Sequence, residues 1–410
     1  MTSSTLPSSR RHRSRQRLLE VIRRENGATR ADLCRLTGLS RSAVATAVQD
    51  LLDEHLVQED VLDPGGPGAG RGRPSALLVP VQGSGHVIGI DFGHTHVSVA
   101  LADCSGVVIS EQRTKVDVDS QARAALDVAA GVATRLITAA HVTHSDVKCV
   151  AAGIPAPIDA NTKQIRSTTI MSDWVGLHPE KELTDLLGWR VVIANDADMG
   201  AQGELRFGAA RGMRDLIYIK LSDGLGASLV LDGSPYGGSS GLAGEIGHTQ
   251  MSGIQGPWCR CGNRGCLETL VSASFVHDLM RESPLSGGDS VFPLRGAADH
   301  PAVARFVTEA GRTLGRALAD VCNWLNPSGI ILGGELGTAG APLVDGVRES
   351  IVRYAQPSTA EAVHVKSASL GLRSEVLGAV AVAIHEAGYH VGSVSTGASE
   401  QAPGKALRVV

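Results

Sequence analysis

The stretch Gly241–Glu268, GLAGEIGHTQMSGIQGPWCRCGNRGCLE, constrains this 410-residue chain more than any other. Within it His248, Cys259, Cys261 and Cys266 fall inside nineteen positions. Thiolates and an imidazole in a tetrahedral set are the donors that Zn2+ prefers. Glycines 253, 256, 262 and 265 let the backbone wrap tightly around an ion. Core cysteines, by contrast, do not usually gather amid such Gly-rich punctuation. Four protein ligands would leave no open position for an activated water, so the metal predicted here is structural, one per chain, and not hydrolytic. Glu245 and Glu268 flank the cluster. With softer ligands filling the ion's shell, these carboxylates are free to hydrogen-bond something else, and a polyol suits them.

The rest of the chain sets the context. At this length two or three domains are expected. No apolar run reaches the eighteen or so residues of a membrane span, and the Arg-rich start lacks the apolar region of a secretory signal. Three of the seven cysteines belong to the cluster, while Cys34, Cys104, Cys149 and Cys322 stand singly in apolar surroundings. That usage fits a reducing cytoplasm. Net charge is −4, yet residues 1–50 hold ten arginines against four acids, a balance of +6 that leaves −10 for the remainder. A basic end on an acidic body predicts an anionic partner at that end.

Residues 1–14 read as a disordered basic tail. From Gln16 a helix carries Leu18, Leu19 and Ile22 and stops at Asn26-Gly27. Thr29 caps a second helix with Leu33 and Leu36 turned inward and Gly38 at its end. Ser40 caps a third, whose buried face is Val44, Val48 and Leu51-Leu52. This spacing is a helix-turn-helix, with Ser40, Arg41, Ser42 and Thr46 at the start of the recognition helix, suited to base edges and phosphates. Strands around Val57 and Leu77 frame a Gly/Pro-rich hairpin, which completes a winged helix-turn-helix over 15–80. Its Gly70-Arg71-Gly72-Arg73-Pro74 is similar to the core of an AT-hook, and Arg71 and Arg73 suit a narrow minor groove.

Over 85–390 strands and helices alternate, and 391–410 reads as a disordered tail. Two strand-hairpin openings, at 87–102 and 216–231, predict a duplicated α/β fold of two lobes with a ligand cleft between them. Gly-rich turns follow three strands, at Asp91–Thr95, Ser222–Gly226 and Gly333-Gly334. Backbone N–H groups at such turns can cradle phosphate.

GEIGH at Gly244–His248, followed by CRCGNRGCLE at Cys259–Glu268, resembles the ROK family of repressors and sugar kinases, and the likeness runs from Gln16 to about Ala387. The Gly-Arg-Gly-Arg-Pro wing is similar to its regulator branch. The resemblance implies an actin/hexokinase-like (ribonuclease H-like) ATPase fold. It also implies that His248, Cys259, Cys261 and Cys266 hold a structural zinc. By the same resemblance Asn195, Asp196, Glu245, His248 and Glu268 contact sugar hydroxyls, and Asp196 is the catalytic base wherever kinase activity persists. A carboxylate is chemically fit to take the proton of an attacking hydroxyl. Asp91, Gly93, Thr95, Gly224, Gly226, Gly333 and Gly334 are the nucleotide-loop positions.

Two departures from the kinase pattern stand out. His94 replaces a glycine of the first phosphate loop, and Asp223 places a carboxylate where the second carries a hydroxyl. A like charge in a phosphate site is repulsive, which argues against ATP. Ser228 stands where the family usually has Gly or Ala. The expectation is a DNA-binding transcriptional regulator, acting as a repressor on an inverted repeat. It would be a homodimer or homotetramer with a sugar or sugar-phosphate effector and no membrane partner. The alternatives are an active sugar kinase with a DNA-binding head, and a scaffold with an empty cleft.

Overall fold

In a computed structural model of the chain the described residues are 27–53, 57–60, 76–80, 85–165, 171–251, 256–282 and 293–389, with 14–15, 17–19, 21–22 and 25. They divide into two compact units, one within residues 1–81 and one within 82–391.

In the first unit the described residues of 14–22 are helical and bury Leu18, Leu19 and Ile22. A short strand β1 (Ala28–Thr29) leads into helix α1 (Arg30–Thr37). The Thr29 hydroxyl oxygen accepts the Asp32 N–H while the Asp32 carboxylate accepts the Thr29 N–H, a reciprocal cap that satisfies two orphan donors. Gly38 ends α1 at φ 67°, a left-handed position that suits glycine. Helix α2 (Arg41–Asp53) follows, and Ser40 Oγ accepts the Ala43 N–H at 3.3 Å as its cap. Strands β2 (Val57–Asp60) and β3 (Leu77–Pro80) pair antiparallel, and β1 pairs on the other side of β3. Leu18, Ile22, Leu33, Val44, Val48, Leu51 and Leu78 form the core. Leu36 departs from expectation and is exposed. Thr37 is buried in that turn instead, its hydroxyl donating to the Leu33 carbonyl at 2.5 Å. The hairpin loop with Arg71 and Arg73, residues 1–13 of the basic tail and the tail 391–410 lie outside the described residues, while Ser14, placed in that tail, is helical.

The second unit is a duplication. The strands of its first lobe are β4 (His86–Gly93), β5 (His96–Asp103) and β6 (Val108–Lys115), then β7 (Val147–Ile154) after helix α3 (Ala122–Ala139), and β8 (Val191–Asn195) after helix α4 (Pro179–Leu187). Helix α5 (Asp196–Phe207) starts where β8 stops. In the second lobe come β9 (Leu216–Leu221), β10 (Leu225–Leu231) and β11 (Ser234–Pro235), then the long helix α6 (Pro301–Leu325), β12 (Gly329–Gly333), helix α7 (Ala341–Tyr354) and β13 (His364–Ser367). The sheet orders are β6-β5-β4-β7-β8 and β11-β10-β9-β12-β13, with the same antiparallel and parallel pairings at corresponding places. Helix α8 (Ser374–Glu386) returns to the first lobe and lies against α5, β4 and β7. A Cβ on Gly378 of α8 would sit 1.6 Å from the Met199 carbonyl oxygen, so the two helices meet backbone to backbone. That contact fixes the helix whose first residue is Asp196. Helix α4 and strand β13, which the sequence reading did not single out, complete the second crossover of each lobe. No described helix is long and apolar enough to cross a membrane.

Candidate functional site

Strand β8 delivers Asn195 and Asp196 to the cleft at the start of α5. The Asn195 Oδ1 accepts the Ala197 N–H at 2.9 Å, and its Nδ2 donates to the Ala156 carbonyl at 3.2 Å. Asp196 Oδ1 also accepts the Ala197 N–H, at 2.8 Å. A carboxylate in the first turn of a helix is favoured by the unpaired N–H groups there.

Across the cleft the loop after β11 supplies the other wall. A single turn of helix over Ile246–His248 aims His248 Nδ1 at Cys259 Sγ, 3.5 Å away, and Cys261 Sγ lies 3.6 Å from Cys266 Sγ. All four donor atoms lie within 4.8 Å of one another. Around an ion bonded to sulfur at about 2.3 Å, tetrahedral donors stand about 3.8 Å apart, so the set is spaced for zinc. The second nitrogen, His248 Nε2, is 3.7 Å from Glu245 Oε2, so one imidazole addresses the cluster and the cleft together. Glu268 Oε2 accepts the Leu225 N–H at 3.0 Å. A Cβ on Gly224 would lie 2.8 Å from that oxygen, so this glycine of the second loop packs on Glu268.

Asn195, Asp196, Glu245, His248 and Glu268 line one cavity of about 360 Å³. This is at the small end of ligand pockets, roughly 300–1,000 Å³. Gly224 and Gly226 border it. So does Lys220, which the sequence reading missed. From β9 its Nζ donates to Asp196 Oδ2 at 2.6 Å, and the two side chains are only 13% and 7% exposed. Burial alone would depress the Lys220 ammonium, but the carboxylates of Asp196, Glu375 and Asp91 outweigh it and raise its pKa above lysine's usual value. The one signal in the sequence was a cation inside an otherwise apolar strand, Leu216–Leu221.

A second space lies beside this cavity and is different in kind. His94, Thr95, Asp117, Asp119 and Asp223 line a second space of about 530 Å³, which shares His94, Arg260 and Glu268 with the first. His94 Nδ1 is 2.7 Å from Asp119 Oδ1, and His96 Nε2 is 3.1 Å from Asp91 Oδ2. The His96 ring lies against Gly93, where a backbone approach to phosphate would need open space. Asp91 is buried, its Oδ1 without a hydrogen-bond partner. Burial pushes that carboxyl up, but the His96 hydrogen bond and Lys220 prevail and lower it. Asp223 accepts from Ser274 Oγ at 3.2 Å. Gly333 ends β12 and Gly334 opens a short helix against the end of β9, where Ser222 Oγ accepts the Glu335 N–H at 3.3 Å.

Two more buried acids were not foreseen. Asp198 accepts from Ser228 Oγ at 2.6 Å, and burial, opposed by that bond, raises its pKa to about 6. Glu375 accepts from the Tyr218 hydroxyl at 2.9 Å, and burial raises it to about 7 against the pull of Lys220.

In the separate N-terminal unit, Ser40, Arg41, Ser42 and Thr46 are all exposed. The Ser40 hydroxyl is engaged at the cap, 3.1 Å from Ser42 Oγ, and the Thr46 hydroxyl donates to the Ser42 carbonyl at 3.1 Å. Gln49 continues the exposed face.

A winged helix-turn-helix unit and a duplicated sugar-kinase-like unit together define a class of protein. The sequence profile of the ROK family matches residues 87–386, and that of a winged helix-turn-helix DNA-binding domain matches 11–58. The chain belongs to the ROK family. It is 29% identical to the xylose repressor of Bacillus spizizenii over 370 residues, covering 90% of this chain and 94% of that protein. It is also 29% identical to the glucokinase of Thermotoga maritima, but over 72% of this chain and 96% of that one. A solved ROK family transcriptional regulator, a homologue of the Escherichia coli Mlc protein, superposes with a TM-score of 0.77 at 24% identity, covering 92% of this chain and 96% of the other.

Proposed function

We propose that this protein is a sugar-responsive, DNA-binding transcriptional repressor whose effector binds in a kinase-like cleft that no longer transfers phosphate. The observation that carries the reading is the Lys220–Asp196 pair, 2.6 Å apart in a cavity lined by Asn195, Glu245, His248 and Glu268. The carboxylate that would act as base is held by an ammonium, while the acceptors that recognise a polyol remain in place. The full-length likeness to a xylose repressor supports the same reading.

Ser40, Arg41, Ser42 and Thr46, with Arg71 and Arg73 of the wing, would meet DNA, and two copies in a homodimer or homotetramer would read an inverted repeat. His248, Cys259, Cys261 and Cys266 would hold one structural Zn2+ per chain. Bound zinc would supply rigidity to the loop, and the chemistry toward ligand would come from Glu245, Glu268 and the free His248 nitrogen. An effector that binds one degree of lobe closure more tightly than another shifts the protein toward that state, whether free sugar or sugar phosphate.

The test is DNA binding of the full chain to its own upstream region, titrated with salt and with a panel of sugars and sugar phosphates headed by xylose and glucose. Salt-sensitive, sequence-dependent binding released by one of them is expected, and Arg41→Ala should relax sequence preference. Absence of sequence-dependent binding would overturn the proposal. An ADP-release assay, with Asp196→Asn as control, addresses the kinase reading that Asp196 itself favours.

A further inference from the structure

We infer that the space bordered by His94, Asp117, Asp119 and Trp258 is a second sugar subsite, so that the effector is a neutral disaccharide or longer glycoside whose outer ring lies there. The inference rests on the proposed sugar-binding role of the cleft and narrows it. The smaller cavity, about 360 Å³, has room for one sugar ring. The larger, about 530 Å³, opens from it, for His94, Arg260 and Glu268 line both. A ligand that fills the two in succession has at least two rings.

Both walls of the larger space are held in place. On one side the Val116 and Val118 N–H groups donate to the Thr95 and His94 carbonyls at 3.2 and 3.0 Å. Val118 is buried, and its carbonyl accepts the Trp174 indole N–H at 2.7 Å. Asp117 and Asp119 flank this anchored residue, and both border the space. On the other side Trp258 pairs with Arg264 across the turn that carries Cys259 and Cys261. The Cys259 N–H closes that turn on the Asn263 carbonyl at 2.8 Å. The Trp258 indole is 68% exposed, with the Arg264 guanidinium 4.3 Å from the ring centroid on one face. Its other face can receive the C–H side of a sugar ring, which the negative face of an aromatic attracts.

The pattern of charge selects the occupant. Among the described lining residues Arg260 is the one lysine or arginine, against Asp117, Asp119, Asp223 and Glu268. Arg260 Nη2 is itself 3.9 Å from Glu268 Oε1. An ionised carboxylate only accepts hydrogen bonds. Sugar hydroxyls donate to it, whereas a phosphate dianion has no proton to offer and is repelled. Acceptors around an exposed indole therefore fit a second ring better than they fit the phosphate of a sugar phosphate.

Calorimetry of the full chain tests this with matched probes: xylose against xylobiose, glucose against cellobiose and maltose, and glucose 6-phosphate. At least one disaccharide should bind about tenfold or more tightly than its monosaccharide. Trp258→Ala should remove that advantage while monosaccharide affinity stays within about twofold. Trp258→Phe keeps an aromatic face and should retain most of the advantage, which separates lost stacking from a collapsed turn. Disaccharides no tighter than their monosaccharides, glucose 6-phosphate tighter than glucose, or an advantage that survives in Trp258→Ala would each overturn the inference while leaving a sugar-binding cleft in place. A chain that binds none of the probes defeats the cleft reading and the inference with it. Tight disaccharide binding without sequence-dependent DNA binding would remove the regulator and support the subsite.

Discussion

The two spaces of the cleft each draw side chains from both lobes, yet they differ in kind. In the half lined by Asn195, Asp196, Glu245, His248 and Glu268, acceptors converge on a cavity of about 360 Å³ beside the Cys/His cluster. In the half lined by His94, Asp119 and Asp223, carboxylates and an imidazole border a larger space of about 530 Å³. A binding wall asks only for equilibrium complementarity. Phosphoryl transfer also needs an open base and compensated phosphate charge.

The largest effect should come from breaking the cluster. Cys259→Ser is expected to lose the bound zinc, measured by metal analysis, and to weaken ligand binding about 100-fold, measured by calorimetry, since supporting shells of this kind act on affinity at that scale. DNA binding by the head should persist. Retained ligand affinity in a metal-free variant would uncouple the two features.

The buried ion pair is read on stability instead. Asp196→Asn leaves the Lys220 ammonium in the cleft without its carboxylate, and a loss of about 3–5 kcal/mol in urea unfolding is expected. Pairing it with Lys220→Met should return most of that stability without returning ligand affinity. A double variant no more stable than Asp196→Asn alone would remove Lys220 from the account.

Much of this was legible in the sequence, for physical reasons that differ from place to place. The caps Thr29 and Ser40, the Gly38 stop and the two strand-hairpin openings are local signals, and the structure has them where the residues imply. The Cys/His set was legible because its donors are close in sequence as well as in space. Leu36 was misread because helical period cannot tell which of two adjacent positions turns inward, and Thr37 took the buried one by bonding back to Leu33. The roles of Lys220 and Glu375 were missed because their partners, Asp196 and Tyr218, lie on elements distant in the chain. Strand β13 was missed because it has four residues of which only Val365 is buried, too short a run to carry a pattern.

A smaller effect separates the carboxylates of α5. Burial raises Asp198 from 3.8 to about 6. The folded protein then binds that proton more tightly than the unfolded chain does. The group's contribution is therefore most favourable below about pH 4 and is lost as pH rises through about 6. Asp198→Asn should thus be more stable than wild type at pH 7, by at most about 3 kcal/mol, and equal to it near pH 4. Denaturant midpoints at the two pH values decide this. Ser228→Ala should move the window upward, because the bond from Ser228 Oγ favours the ionised form.

The smallest expected effect addresses the phosphate half directly. If charge and filled space are what exclude nucleotide, then His94→Gly with Asp223→Thr should gain affinity for a nucleoside triphosphate by about tenfold, the worth of relieving one close like-charge contact in a partly screened site. Asp223→Thr alone should leave sugar affinity within about twofold, because Asp223 does not line the smaller cavity, whereas His94 borders both spaces. ADP release should remain absent even so, since Lys220 still occupies Asp196 in the double variant. Adding Lys220→Met then separates two causes of silence. Turnover that appears only in the triple variant assigns the block to the ammonium, whereas turnover in the double variant assigns it to the phosphate loops and makes the Lys220 pair compatible with catalysis.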